Sequence, residues 1–113
     1  MATIDRATFE ALKATAGADF VRELVDTFLS EAPKMLDELR SALDASDATR
    51  FRRAAHSLKS NGNTFGALSF GALARDLELG GIARAKEHGG EAMTRLTEEY
   101  ARVADALQEL KSA

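Results

Sequence analysis

The sequence predicts an all-α fold, an antiparallel four-helix bundle with a short additional N-terminal helix, on three observations. Good helix formers (Ala, Leu, Glu, Lys, Arg) dominate a composition that is 45% hydrophobic and 29% charged, with one proline, and no segment alternates apolar and polar residues as a half-buried strand does. Apolar residues instead recur three and four apart in long segments, the spacing that gathers one face of a helix. The joints between these segments are short, which forces neighbouring helices to run in opposite directions.

The first, short helix starts near Asp5, whose carboxylate can accept from the open amides of a first turn, and ends around Thr15 to Gly17. Ile4, Phe9 and Leu12 dock it. Asp19 offers the next cap, ahead of a long helix in which Leu24, Val25, Phe28, Leu29, Ala32, Leu36, Leu39 and Leu43 form the strongest apolar stripe. Pro33 lies within it, and its missing amide predicts a kink near Leu29 to Pro33 rather than a break. The polar run Asp44 to Asp47 makes a tight connection, with Ser46 or Asp47 capping a helix that ends near Phe65 or Gly66. The next helix turns Leu68, Phe70, Leu73, Ala74 and Leu77 inward, and Gly80-Gly81 either ends it or leaves a weak spot before Ile82 to His88. Gly89-Gly90 marks another turn, and His88 before it suits a helix end, where an imidazolium meets open carbonyls. The last helix, about Glu91 to Leu110, presents Met93, Leu96, Tyr100, Val103, Leu107 and Leu110 on one face.

The bulk properties narrow the function. A chain of 113 residues suits a single domain, residues 1–113, with one sustained core. The absence of cysteine rules out a disulfide framework and a thiolate zinc site, and the two histidines stand too far apart to suggest one metal site, so no metal is expected. A net charge of -3 argues against general nucleic-acid binding, which needs a basic excess. The first residues lack the apolar stretch of a secretory signal and no segment approaches the roughly 20 apolar residues of a membrane span, so a cytoplasmic protein without membrane contact is expected.

The chemistry concentrates in Phe51 to Ala67. At about 100° per residue, Phe51, Ala54, Ala55, Leu58, Gly62 and Phe65 gather on one side, while Arg52, His56, Lys59 and Asn63 fall within an arc of roughly 60° on the other. The imidazole of His56 therefore points to water. A neutral imidazole is available near its reference pKa of about 6.5, and a lysine one turn away can stabilise incoming charge, so the pair suits nucleophilic attack on phosphorus. On helical geometry alone, an incidental surface histidine is an equal alternative.

These residues are joined by a wider pattern. His56, Leu58 and Lys59, the small residues Ser60, Asn61 and Gly62, and then Gly66-Ala67 resemble the signature of the histidine phosphotransfer (HPt) domain of bacterial multistep phosphorelays. Upstream, Leu24-Val25-Asp26-Thr27-Phe28-Leu29 through Pro33, Leu36, Leu39 and Leu43 is similar to that family's preceding long helix. Downstream, Leu73-Ala74-Arg75-Asp76-Leu77-Glu78 is similar to the helix packed beside it. Many members carry Gly-Ser-Ser after the lysine, where this chain has Ser60-Asn61-Gly62.

The resemblance implies that His56 takes a phosphoryl group from a receiver-domain aspartyl phosphate and hands it to the aspartate of another receiver. The implied partners are response-regulator receivers and a hybrid histidine kinase, with Mg2+ supplied by the receiver and no cofactor of the chain's own. No glycine-rich phosphate loop of the nucleotide-binding kind is present, so neither ATP binding nor autokinase activity is expected. Lys59 is then the stabiliser of the phosphoryl oxygens, and Ser60, Gly62 and Asn63, being short, leave room for a receiver to approach.

Receivers dock over the histidine helix and its long neighbour in the family, which makes Phe28, Ala32 and Met35 a candidate docking patch. Helical periodicity favours the core for the same residues. Arg52 and Arg53 can steer an acidic partner or simply solvate the helix. Gly66 reads as structural, easing helix packing or ending the helix. A rival function is a helical adaptor that binds a receiver or kinase without being phosphorylated. All the apolar stripes can be satisfied within one bundle, so a monomer is expected.

Overall fold

A computed structural model describes residues 3–87 and 90–112. Among the described residues five helices follow one another: α1 (Arg6–Ala16), α2 (Ala18–Asp44), α3 (Ala48–Thr64), α4 (Leu68–Glu87) and α5 (Glu91–Ser112). Among the described residues there is no strand. α3 packs most extensively on α4 and next on α2, α5 lies against α4 and α2, and α1 covers α2 and α3.

Local chemistry sets the boundaries. The Asp5 carboxylate accepts from the Thr8 amide at 3.2 Å and starts α1, and the Asp47 carboxylate accepts from the Arg50 amide at 3.2 Å and starts α3. Asp19 does not cap α2. Gly17, at φ 93°, turns the chain so tightly that α2 begins at Ala18, which leaves Asp19 within the first turn and paired with Arg22 at 3.4 Å. Its charge there still favours the helix N-terminus.

α2 continues unbroken through Pro33. A proline at this position leaves the Leu29 carbonyl without its helical donor, and the Tyr100 hydroxyl of α5 donates to that carbonyl at 3.4 Å. Burial pushes the Tyr100 phenol above its ordinary value, so the hydroxyl keeps its proton at neutral pH.

The glycine pair in α4 produces a kink and not a loop, because Gly81 takes a non-helical conformation (φ 71°, ψ -173°) with helix on both sides. Beyond the kink the Lys86 ammonium reaches the Ser46 hydroxyl on the α2–α3 turn. Leu68, expected to face inward, is exposed, since it is the first residue of α4 and precedes the buried stripe of Phe70, Gly71, Ala74 and Leu77. His88 and Gly89 lie outside the described residues.

An aromatic cluster ties four segments together. Phe28 of α2 has its ring centroid 5.5 Å from Phe65 at the end of α3, 6.3 Å from Phe70 of α4 and 5.9 Å from Tyr100 of α5, in tilted or edge-on arrangements. Phe28 and Ala32 therefore belong to the core. Directly after Phe65, Gly66 adopts φ 85° and its carbonyl accepts from the Asp5 amide at 2.8 Å. A Cβ there would stand 2.8 Å from the Asp5 carbonyl oxygen, so only glycine lets α1 close onto the end of α3.

Candidate functional site

Phe51, Ala54, Ala55, Leu58 and Gly62 are the buried residues of α3. On its other side Arg52, Arg53, His56, Ser57, Ser60 and Asn63 are exposed. The His56 side chain is 57% exposed, yet its ring is held: Nδ1 lies 2.8 Å from Oε2 of Glu78 on α4. Lys59, 25% exposed, places Nζ 2.8 Å from the other oxygen of the same carboxylate, Oε1, which is shielded from solvent. One carboxylate thus joins the imidazole and the lysine expected to work with it.

Two glycines on facing helices make this meeting possible. A Cβ on Gly62 would stand 2.6 Å from Cδ2 of Phe70, and a Cβ on Gly71 would run into the Asn63 amide. Without those side chains α3 and α4 approach closely, and the carboxylate of Glu78 spans the remaining gap. Gly62 is accordingly buried under Phe70 and does not line the surface a partner would approach. Ser60 and Asn63 are exposed, with Asn63 resting against Gly71.

The Lys59 ammonium holds the Glu78 carboxyl below its ordinary value of 4.5, burial opposes that shift, and His56 adds to it. A carboxylate below its unfolded value stabilises the fold fully above the unfolded pKa, and this contribution is lost as pH falls through the folded pKa. The stability difference between wild type and Glu78→Gln should therefore shrink as denaturant titrations move from neutral pH into the range below about 4.5. A difference that stays constant across that range contradicts the pairing.

An ionised carboxylate only accepts, so the ring nitrogen facing it is the donor and Nδ1 carries the proton. In the neutral ring the lone pair then belongs to Nε2. A surface groove of about 430 Å³ runs along the histidine, lined by Thr49, Arg52, Arg53, His56, Ser57 and Glu78. A second groove of about 430 Å³ opens between α2 and α3, where Met35 lies half-buried near Glu31 and Asn61. Among the described residues no group of three or more His, Cys, Asp or Glu side chains is placed to hold a metal ion.

Glu78 is the site residue that sequence reasoning did not single out. Its signal was present in the spacing, four residues after Ala74 and seven after Gly71, both small and buried where α4 meets α3. Leu77, its inward neighbour, drew the reading to the core.

A helical carrier that exposes a single anchored imidazole on a rigid helix, with a lysine beside it, is the class these features define. The Hpt domain family model matches residues 23–113, and the chain belongs to that family. Its role is histidine phosphotransfer in a phosphorelay, as a phosphocarrier interacting with receiver domains and kinases rather than as an enzyme of the ordinary kind. The fold is similar to the crystal structure of histidine-containing phosphotransfer protein B (HptB) from Pseudomonas aeruginosa PAO1, with a TM-score of 0.87 and 24% identity over 97% of this chain and 95% of that one. Comparison with the curated proteins gives no match. Among the described residues, no helix is long and apolar enough to cross a membrane.

Proposed function

We propose that Nε2 of His56 accepts the phosphoryl group of an aspartyl phosphate on one receiver domain and passes it to the aspartate of another. The observation that carries this reading is the half-exposed imidazole whose Nδ1 is engaged by Glu78, which leaves Nε2 as the free nucleophile. Transfer needs nitrogen, phosphorus and carboxylate oxygen roughly in line, with charge spread over the equatorial oxygens. A nucleophile fixed on a helix meets that demand better than one on a loop.

Lys59 supplies a mobile positive charge one turn from the ring. It reaches the phosphoryl oxygens by exchanging its contact with Glu78 for them. Ser60 and Asn63 leave space for the receiver, Arg52 and Arg53 meet its acidic rim, and Met35 at the α2–α3 groove offers an apolar contact. The receiver brings the Mg2+. The single domain works without an ATP site, as a cytoplasmic monomer. Its four long helices act as an antiparallel bundle that holds α3 rigid, an arrangement supported by the packing of α3 on α2 and α4 and of α5 on both.

Incubation with a receiver carrying radiolabelled phosphate tests the proposal. Label should reach the chain from the phosphorylated receiver and should not reach it from labelled ATP alone. Binding to receivers without any transfer of label would favour the adaptor instead.

A further inference from the structure

Up to its kink, α4 is apolar on two sides. Phe70, Gly71, Ala74 and Leu77 are buried against the bundle, while Leu68, Ala72, Arg75, Asp76 and Leu79, spaced as one helical stripe, are exposed. Leu79 is 69% exposed and Leu68 47%, two of the three large hydrophobic side chains left exposed among the described residues. One exposed leucine calls for no explanation. Leu79 stands out by its place, directly after the Glu78 that reaches His56. Arg75 is one turn from both Glu78 and Leu79, and Asp76 turns the other way, into the cavity between α4 and α5. The outer stripe thus borders the phosphoryl site on the side away from α2.

The charge around this stripe indicates what covers it. Between Ala48 and Lys86 seven lysines and arginines stand against two acids, Asp76 and Glu78, whereas α2 carries seven acids against three cations. Arg52, Arg53 and Arg75 are exposed, and none of them is in an ion pair among the described residues. The complementary surface is therefore acidic, with an apolar recess. A receiver domain has that chemistry, since carboxylates must hold Mg2+ beside its phosphorylated aspartate. A second copy of the chain does not. A twofold contact sets a patch against itself, so Arg75 and its neighbours would meet like charge.

We infer that the outer face of α4 is a docking surface for the receiver, with Leu79 as its apolar anchor and Arg75 as the charged contact beside it. The partner then straddles α3 and rests on α4 as well as on the α2 side. This extends the carrier function proposed above and rests on it. Leu79 and Arg75 touch no reacting atom; they hold the partner in register over Nε2 of His56.

The test uses wild type, Leu79→Ser and Arg75→Glu. Each is titrated with receiver domains from the same organism, phosphorylated by radiolabelled acetyl phosphate and then freed of it, and the rate of label transfer yields KM and kcat. Rates are normalised to labelling by phosphoramidate, a small donor that reaches His56 without docking. Leu79→Ser should raise KM for the receiver about tenfold, the effect of one packed anchor, with kcat within about twofold. Arg75→Glu should raise KM about fivefold at low salt and hardly at all near 1 M, where screening removes the charged contact. The Leu79→Ser effect should persist at both.

KM values within about twofold of wild type for both variants at low salt would overturn the inference. A wild-type chain that sediments as a dimer, and as a monomer once Leu79→Ser is made, would overturn it in favour of self-association. Receivers that bind without transferring label, and bind Leu79→Ser more weakly, would overturn the carrier reading while supporting the docking face. Failure of every receiver to bind wild type would overturn both. Thermal melts of the variants, expected to match wild type because both side chains are exposed, separate these outcomes from loss of fold.

Discussion

Replacing His56 by glutamine is expected to abolish phosphoryl acceptance while leaving the fold intact. Glutamine has no nitrogen lone pair able to attack phosphorus, and no other imidazole lies on the exposed side of α3, so the loss should exceed about 10³-fold in label transferred. Stability should barely change. The side chain is 57% exposed, and the glutamine amide can still donate to Glu78, so the shift should stay within about 0.5 kcal/mol. Thermal melts run beside the labelling assay check both halves. Label retained on His56→Gln would place the phosphoryl group on some other residue.

The largest stability effect is expected at Phe70. Its ring is fully buried and stands against Phe28 and Tyr100 at centroid distances of 6.3 and 6.2 Å. It also fills the space that Gly62 leaves open on α3. Phe70→Ala should cost about 3–5 kcal/mol, since the void would remain where α2, α3, α4 and α5 converge. Because the same contact sets the distance between α3 and α4, the variant should also loosen the pairing of His56 with Glu78. Denaturant titration measures the first effect and the ring-nitrogen spectrum the second. A cost below about 1 kcal/mol would show that the helices close the gap without help from this ring.

The helices were legible in the sequence because their signals are local. Asp5 and Asp47 cap from the positions their chemistry suggests, and the stripe through Val25, Phe28, Leu36 and Leu39 follows the helical period. Asp19 misled because the positive φ of Gly17 shifted the start of α2, a backbone choice that residue types alone do not reveal. Phe28, Ala32 and Gly62 could be read as surface or core, and burial placed them in the core. Apolar periodicity indicates which face is inward but not how wide the covered face is.

The candidate site divides along the same line. The exposure of His56 and its closeness to Lys59 come from spacing within one helix. The carboxylate that joins them comes from a helix 22 residues further along the chain. That contact depends on how closely α3 and α4 approach, which Gly62 and Gly71 decide through packing and not through any motif. Tyr100 and the carbonyl freed by Pro33 are a second case, with hydroxyl and acceptor 71 residues apart.

The central claim is that His56 carries phosphate from one receiver to another, and a chase experiment tests it most directly. The chain is loaded from a receiver bearing radiolabelled phosphate, purified, and mixed with an unphosphorylated second receiver. The account predicts acid-labile, base-stable label on the wild-type chain, absent from His56→Gln, that leaves with the second receiver. Receiver binding with no label on the wild-type chain, or label that appears equally on His56→Gln, would contradict it.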